Sequence, residues 1–182
     1  MKLLERKYTV EDYEKLPEGS PYQLIEGELV ISPAPIPYHQ MVLGNIYSIL
    51  RRELKRKGLV LFSPVDVYLD ERNAYQPDLV VLLKNSKAKL TAKGIYGAPE
   101  LVVEVLSPSN AYYDLRIKKE VYEKYGVKEY WIADPLKKSL EIYTNREGRF
   151  ELLVEAKEEG KILSPLLGVE LELSEVFEGV EL

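Results

Sequence analysis

The sequence predicts one domain of the α/β (α+β) class, spanning residues 1–182. Short apolar runs with the two-residue period of strands alternate with two longer stretches that have the 3.6-residue period of helices. The central stretch, residues 99–135, reads as a buried strand, a turn, an amphipathic helix and a second buried strand. A chain of 182 residues is also long enough to bury its own core without disulfides.

The composition is that of a globular protein, and it excludes several kinds of site. Hydrophobic residues make up 46% of the chain and charged residues 30%, as in ordinary soluble domains. Cysteine is absent, so neither a disulfide nor a thiolate metal site can form. No apolar run approaches the ~18 residues of a membrane span, and the N-terminus (MKLLERKYTVEDYEKL) has charges where a signal peptide is apolar. We therefore expect a cytoplasmic protein with no membrane segment.

The charge distribution is compatible with a local nucleic-acid contact only. A net charge of -5 argues against a general affinity for nucleic acid, which depends mainly on cations that neutralise phosphates. Two segments are nevertheless basic: residues 51–57 (RRELKRK) and residues 84–93 (KNSKAKLTAK), the second with four lysines and no acid. The lysines of 84–93 either form a solvated loop or contact phosphate.

The N-terminal part of the chain predicts a short helix and a hairpin. Thr9 followed by Asp12 is typical of a capping box, and it predicts a helix over 10–16 that stops at Pro17. The run YQLIEGELVIS (22–32) has two apolar runs around Glu-Gly, which predicts a β-hairpin or a strand bent at the glycine. A proline-rich connector, SPAPIP, follows.

A long helix and three strands come next. Apolar residues recur with helical spacing from Tyr38 to Lys57, and Gly58 is well placed to end this helix. The predicted strands are 59–63, 65–69 and 78–83, with a turn at 71–73 and a lysine- and glycine-rich loop, with room for one helical turn, over 84–98.

The central stretch contains the strand 100–107, a helix over 111–125 and the strand 129–134. Ser109 or Asn110 can cap the helix, and Gly126 ends it. The residues predicted to face inward on this helix include Leu115, Lys118, Val121, Tyr122 and Tyr125. The remaining segments, 139–145, 149–156 and 167–177, predict an antiparallel β-rich extension.

Two carboxylates occur where apolar strands would not be expected to hold them. Asp78 begins a strand directly after Pro77, and Glu104 lies in the middle of the next long apolar strand. A buried acid needs a partner cation, a metal or a raised pKa. If the two strands are neighbours, both carboxylates reach one point, and a divalent cation would relieve their repulsion; oxygen ligands suit Mg²⁺ or Mn²⁺. As alternatives, Asp78 can simply end a strand, and a structural salt bridge can satisfy Glu104.

The helix after the Glu104 strand offers a cation. Lys118 precedes Val121 and Tyr122 by three and four residues, so it lies on their face. There it could orient or deprotonate a water, or stabilise the charge of a transition state. Asp114, four residues earlier, is on the same face and could pair with it. The alternative is that Lys118 is solvated, as most helical lysines are.

Several signatures together resemble the Uma2 family of the PD-(D/E)xK nuclease superfamily over roughly residues 8 to 135. They are YQLIEGELVISPAP followed by His39 and Gln40, then QPDLVV, ELVVEVLSPS, and the run D-x3-K-x3-Y-x3-GV-x-EYW that begins at Asp114. Each signature is weak alone, but their order and spacing are specific.

The resemblance implies a restriction-endonuclease-like fold: a mixed central sheet flanked by helices, with a β-rich N-terminal hairpin and a C-terminal extension. It implies that Asp78 and Glu104 bind the metal, and that Glu26 is a further ligand, direct or through water, with Glu28 as its possible substitute. The superfamily's usual lysine position, two residues after the Glu, is Leu106 here. The family's own lysine, on the following helix, corresponds to Lys118.

Two further positions complete the comparison with the family. The family often has Glu where Gln23 stands, so a role for an acid at that place is absent from this chain. The family resemblance also has a histidine at the position of His39, the only histidine of the chain. It begins a helix, where it can either reach the site or cap the helix.

The leading hypothesis is therefore a Mg²⁺-dependent nuclease that favours DNA over RNA. Asp78, Glu104 and the backbone carbonyl of Val105 would bind the ion, Glu26 would support it, and Lys118 would position or activate the attacking water. Double-strand cleavage would need a homodimer. The alternative is a non-catalytic module that binds nucleic acid or protein, with Glu104 and Lys118 as a structural ion pair. A glycosidase fits poorly, because the acids lie beside a lysine.

Overall fold

The computed structural model describes residues 6–108 and 113–181, with the side chains of residues 113 and 114 left out of the description. The chain begins with helix α1 (Val10–Tyr13) and a hairpin of β1 (Tyr22–Ile25) and β2 (Glu28–Ile31). Thr9 caps α1, and the predicted capping box with Asp12 is present. In the hairpin turn, Glu26 and Gly27 both have a positive φ (51° and 81°), as the favoured two-residue turn requires. The predicted hairpin is confirmed, and so is the start of the predicted helix, but the helix ends at Tyr13 and not at residue 16.

Helix α2 (Pro37–Leu54) is the long helix of the prediction, but it ends earlier than expected. Lys55 adopts a positive φ of 49° and stops the helix. Gly58, which the sequence suggested as the end of this helix, instead begins the next strand.

The rest of the described chain is mainly β-structure with three short helical elements. The strands are β3 (Gly58–Phe62), β4 (Val67–Asp70), β5 (Asn73–Tyr75), β6 (Leu79–Leu83), β7 (Lys89–Leu90), β8 (Ile95–Tyr96), β9 (Leu101–Val105), β10 (Glu129–Asp134), β11 (Ser139–Arg146), β12 (Arg149–Lys157), β13 (Lys161–Ser164) and β14 (Val169–Glu172). A π-helical segment (Tyr113–Lys118) leads into α3 (Lys119–Tyr125), and α4 (Leu173–Val176) follows β14.

Within the described residues the strands form two mixed six-stranded sheets and one two-stranded sheet. The central sheet has the order β12-β11-β10-β9-β6-β3, and only β9 and β10 are parallel in it. The second sheet has the order β2-β1-β5-β4-β8-β7. The α+β class and the mixed central sheet are as predicted.

The second sheet contains strands between β4 and β9 that were predicted as turn and loop. Residues 73–75 pair as β5 although they were predicted to begin in a turn, and the predicted loop 84–98 contributes β7 and β8. At the C-terminus, the predicted strand 167–177 is a strand followed by α4, and it pairs with the unpredicted β13. These strands have two to four residues each, too few for a periodic signal to stand out.

The central sheet separates two apolar clusters. On one face, α2 packs through Val42, Ile46 and Leu50 against Val81 and Trp131. On the other face, residues of the second sheet and of α3 cover the sheet; among them are Ile25, Val67, Tyr75, Ile95, Val121 and Tyr122. Alternate residues of β6 and β9 therefore face two different layers, as the strand period requires.

The helix after β9 differs from the predicted amphipathic helix at its start. The predicted caps, Ser109 and Asn110, lie outside the described residues. Leu115, predicted to face inward, is 47% exposed, whereas Lys118 and Tyr122 are buried. The cause is the π-helical segment, because its wider turn rotates Leu115 away from the face that Lys118 shares with Tyr122. Gly126 ends α3 in the left-handed conformation, as predicted.

Buried Glu129 connects the central sheet to the C-terminal strands. Its carboxylate accepts hydrogen bonds from Trp131 Nε1 (2.7 Å), from Ser164 Oγ (2.5 Å) and from the N–H of Leu166 (3.2 Å). We expect Glu129→Ala to lower the free energy of unfolding by about 3 kcal/mol or more, because buried donors lose their acceptor. Urea unfolding measures the loss. As a control, Glu151→Ala, at an exposed position, should change the free energy of unfolding by less than about 0.5 kcal/mol. Equal effects of both substitutions would contradict the expectation.

In the part of the chain that the structure describes, none of the helices has the length and apolarity to cross a membrane.

Candidate active site

A cavity of about 270 Å³ opens where the hairpin, the start of α2 and the central sheet meet. Its wall includes Gln23 and Ile25 from β1, His39 and Gln40 from α2, and the segment Ser63–Pro64 after β3. Asp78, Glu104, Ser107 and Lys118 also line it. The cavity therefore contains the two carboxylates, the lysine and the histidine that were predicted from the sequence.

Asp78 lies at the start of β6, where the strand register places it beside Glu104. Leu79 pairs with Val103 in the antiparallel ladder of β6 and β9, so the next pair outward is Asp78 and Glu104. Residues directly opposite each other on neighbouring strands point to the same face. The predicted neighbourhood of these two strands is confirmed. Asp78 Oδ2 accepts a hydrogen bond from the N–H of Val105 (2.7 Å).

Glu104 is almost completely buried, with 1% of its surface exposed. Its Oε1 accepts hydrogen bonds from Lys118 Nζ (3.1 Å) and from the hydroxyl of Tyr122 (2.9 Å). Burial, and secondly the charge of Glu104, raise the pKa of Tyr122 well above its ordinary value. Tyr122 therefore stays protonated and keeps donating to Glu104.

Lys118 is held rigidly at the end of the π-helical segment. Its side chain is buried, and the ammonium lies 6.0 Å from the centre of the Tyr75 ring as well as against Glu104. A buried ammonium with a fixed partner has little rotamer freedom. It is therefore already positioned to donate hydrogen bonds to a ligand in the cavity.

His39 is buried in the first turn of α2, and it reaches the site instead of only capping the helix. Its Nε2 lies 3.2 Å from Asp78 Oδ2, and its Nδ1 lies 2.9 Å from Oε1 of Gln40. The proline-rich connector ends at Pro37, the first residue of α2, so the helix start is fixed at the mouth of the cavity.

The structure does not bring Glu26 or Glu28 to the cavity. Glu26 is exposed in the hairpin turn, where its N–H and its carboxylate bond to Asn73 (2.9 and 3.3 Å). Glu28 is exposed beside a separate groove with Arg6 and Lys7. For Glu26 the turn conformation explains this, because side chains at the tip of a hairpin project beyond the paired strands. The side chain of Asp114 lies outside the described residues.

Several uncharged polar residues of the cavity were not predicted from the sequence. Gln23 accepts from the N–H of Gln76 (2.7 Å) and donates to Ser32 Oγ (2.6 Å). This pair ties the hairpin to the segment that precedes Asp78. The two-residue period of β1 could have identified Gln23 as a residue of the cavity, because Gln23 and Ile25 share one face of the strand and both line the cavity. Ser107, two residues after β9, had no comparable signal.

The donor atoms of the cavity are compatible with a hard divalent cation. Within residues 6–108 and 113–181, no three side chains of His, Asp or Glu cluster closely enough to hold a metal by themselves. Besides the two carboxylates, the carbonyl of Val105 points to the side of Asp78, because the C=O of a strand residue points to the same side as its N–H, which here donates to Asp78. These ligands are all oxygens, which suits Mg²⁺ or Mn²⁺.

Removing the hydroxyl of Tyr122 tests how firmly Glu104 is held. We expect Tyr122→Phe to lower the free energy of unfolding by about 1.5–3 kcal/mol, since it removes a hydrogen bond to a buried charged group. The measurement is urea unfolding of the purified variant. Tyr143→Phe is a matched control, because its hydroxyl bonds to the less buried Glu141. A loss no larger than the control's would contradict the role assigned to Tyr122.

Comparison with known proteins gives one family match and a similar solved structure. The model of the Uma2 family, described as "Putative restriction endonuclease", matches residues 10–176. A crystal structure described as "a putative nuclease belonging to DUF820", from Anabaena variabilis, superposes with a TM-score of 0.77 at 20% identity, covering 93% of this chain and 97% of that one. At this identity the likeness shows the fold. No curated protein matches the chain.

Proposed function

From the membership of this chain in the Uma2 family, whose model spans residues 10–176, we propose that it is a divalent-metal-dependent endonuclease that hydrolyses phosphodiester bonds, in DNA in preference to RNA. The observation that carries the proposal is the register that sets Asp78 opposite Glu104 at one cavity, with buried Lys118 on Glu104. Two carboxylates and a lysine on adjoining elements are the groups that metal-assisted phosphodiester hydrolysis uses.

The proposed ligands are the carboxylates of Asp78 and Glu104 and the carbonyl of Val105. When bound, Mg²⁺ or Mn²⁺ would lower the pKa of a coordinated water and stabilise charge on the phosphoryl oxygen. The N–H of Val105 orients Asp78 (2.7 Å) and Tyr122 orients Glu104 (2.9 Å). Glu26 is not in this set, because it lies at the hairpin tip and bonds to Asn73.

Lys118 and His39 would act on the same centre from two sides. Lys118 would donate to a phosphoryl oxygen or to the attacking water, at a position that its burial and its contact with Glu104 fix. His39 lies against Asp78 Oδ2 (3.2 Å), so it would hold that carboxylate in place. Gln23, Ser32 and Gln76 form the neutral wall of the cavity.

A second candidate function has its own supporting observation. Lys118 and Tyr122 both donate to Oε1 of Glu104, so the buried acid has a cation partner without any metal. A non-catalytic module that binds nucleic acid or a protein on the same fold would keep this ion pair. The two functions differ in their response to divalent cations.

Thermal unfolding with Mg²⁺ or Mn²⁺ titrated against EDTA separates the two functions. A cation that binds only the folded protein stabilises it by about 2.7 kcal/mol at 100 times its Kd, which raises the Tm by roughly 5–10 °C for a chain of this size. We expect this rise in one cooperative transition, as for a single domain, together with metal-dependent cleavage of plasmid DNA. A Tm that is the same in both solutions, with no cleavage, would favour the non-catalytic module.

We also propose that two chains act together on double-stranded DNA, because the described part of each chain offers one cavity with this set of residues and a duplex has two strands. Light scattering on the purified protein, with and without a DNA duplex, measures the mass of the particle and therefore the number of chains in it. A single chain per duplex, with both strands cut, would contradict the proposal.

A further inference from the structure

The two basic segments of the sequence meet at one end of the β3–β6 ladder. Gly58 pairs with Leu83 at that end, so Lys57 precedes the pair on one strand and Lys84 follows it on the other. A groove beside them is lined by Arg56 from the first segment and by Lys84 and Ser86 from the second. Tertiary structure thus joins cations that lie about 27 positions apart in the chain.

The cations at this place are available to an external anion. Arg56, Lys57 and Lys84 are all exposed, and in the described part of the chain none of them is in an ion pair, unlike Arg52 and Lys93, which pair with Glu175 and Glu14. Lys87 and Lys89 add further exposed charge next to the groove. A cluster of unpaired cations on a chain with a net charge of -5 is a local electrostatic footprint of the kind that recognises phosphates.

The same ladder leads from this cluster to the active site. At its other end, Phe62 pairs with Leu79, and the N–H of Ser63 bonds to the carbonyl of Asp78 (2.9 Å). Asp78 and Lys84 are therefore six residues apart along one strand direction, or roughly 20 Å at 3.3 Å per residue. Along a DNA duplex, 20 Å corresponds to roughly six phosphates of one strand.

The outer edge of β3 gives a continuous surface between the two places. β3 is the last strand of the central sheet, and Ser63 and Pro64, just beyond it, line the catalytic cavity. At its start, Gly58 and Leu59 line the basic groove. A polymer with one phosphate at Asp78 and Glu104 can therefore follow this edge to the cations.

We propose that Arg56, Lys57 and Lys84, here called the basic edge, bind the phosphodiester backbone of the substrate roughly six nucleotides from the bond that is cut. The inference rests on the proposed nuclease function for the position of the cut. The basic edge supplies affinity and fixes the position of the nucleic acid along the protein. Like other phosphate contacts, it does not recognise the base sequence.

The test uses the full chain and a fluorescein-labelled 20-base-pair DNA duplex in EDTA, so that binding is measured without cleavage. The variant is Arg56→Gln/Lys57→Gln/Lys84→Gln. Its control is Arg149→Gln/Lys128→Gln/Lys157→Gln, which removes three positive charges from exposed positions away from β3. Arg149 and Lys157 lie on β12 at the opposite edge of the central sheet, and Lys128 directly precedes β10. An RNA duplex of the same sequence forms a second arm and identifies which backbone is bound more tightly.

We expect the basic-edge variant to lose roughly tenfold or more in affinity and to lower the slope of log K against log salt by about 2.7, since three phosphate contacts are lost. The control should bind as the wild type does. Unchanged binding by the basic-edge variant, or an equal loss in the control, would overturn the proposal, because the effect would then be absent or due to net charge alone. The Tm of both variants confirms that they are folded.

Cleavage in Mg²⁺ distinguishes failure of this inference from failure of the proposed function. If binding depends on the basic edge but the wild type cuts neither duplex, the phosphate site stands and the nuclease proposal fails. If the wild type cuts DNA and the basic-edge variant binds and cuts equally well, the nuclease stands and the phosphate site is refuted. If both hold, duplexes that end fewer than about six base pairs from the cut should be cleaved more slowly.

Discussion

Asp78→Asn is expected to abolish the stabilisation by Mg²⁺ and to lower the rate of DNA cleavage by roughly 10²–10³-fold or more, the scale of losing one group that stabilises charge in a transition state. The substitution keeps the shape of the side chain but removes its charge, and a neutral amide oxygen is a weaker ligand for a hard cation. Asp78 retains some exposure, 13% of its side chain, so the variant should still fold.

The measurements are the Tm with Mg²⁺ and with EDTA, and cleavage of plasmid DNA at saturating Mg²⁺. Glu26→Gln is the informative companion, because the family resemblance makes Glu26 a ligand whereas the structure places it at the hairpin tip. We expect Glu26→Gln to keep the full metal response. A response lost in Glu26→Gln and kept in Asp78→Asn would reverse the assignment of ligands.

Lys118→Met is expected to lower the free energy of unfolding by about 3–5 kcal/mol in EDTA, because it leaves the charge of Glu104 buried and unpaired. Methionine fills a similar volume, so the loss reports charge more than packing. If Glu104 is a metal ligand, Mg²⁺ can replace the missing cation. The Tm rise with Mg²⁺ should then be larger in Lys118→Met than in the wild type.

The single variant Glu104→Gln and the double variant Lys118→Met/Glu104→Gln complete the test as a double-mutant cycle. Removing both charges should recover part of the stability lost in Lys118→Met, since neither charge is left unpaired, but it should show no response to Mg²⁺. Cleavage by Lys118→Met at saturating Mg²⁺ should remain at least roughly 10²-fold below that of the wild type. Wild-type cleavage in this variant would restrict Lys118 to a structural role.

The sequence was sufficient to predict the elements with a strong period and the groups that bear charge. The strands around Val80, Val103 and Trp131 could be predicted because their apolar runs have the length and the β-branched or aromatic residues of buried strands, and α2 because its apolar residues have helical spacing. Glu104 could be singled out because an acid inside an apolar strand needs a partner. The inward position of Lys118 could be predicted from its four-residue spacing to Tyr122. That spacing places both on one face because the turn between them is α-helical, although the preceding turn is π-helical.

Only the tertiary structure decided which distant residues meet. The register of β6 on β9 sets Asp78 opposite Glu104, the start of α2 brings His39 onto Asp78, and the register of β3 on β6 joins Lys57 to Lys84. It also removed Glu26 from the cavity, since that depends on the direction of one hairpin turn. Local periodicity is encoded by neighbouring residues, whereas register and turn direction are selected by packing between segments far apart in the chain, and a single sequence does not display those contacts.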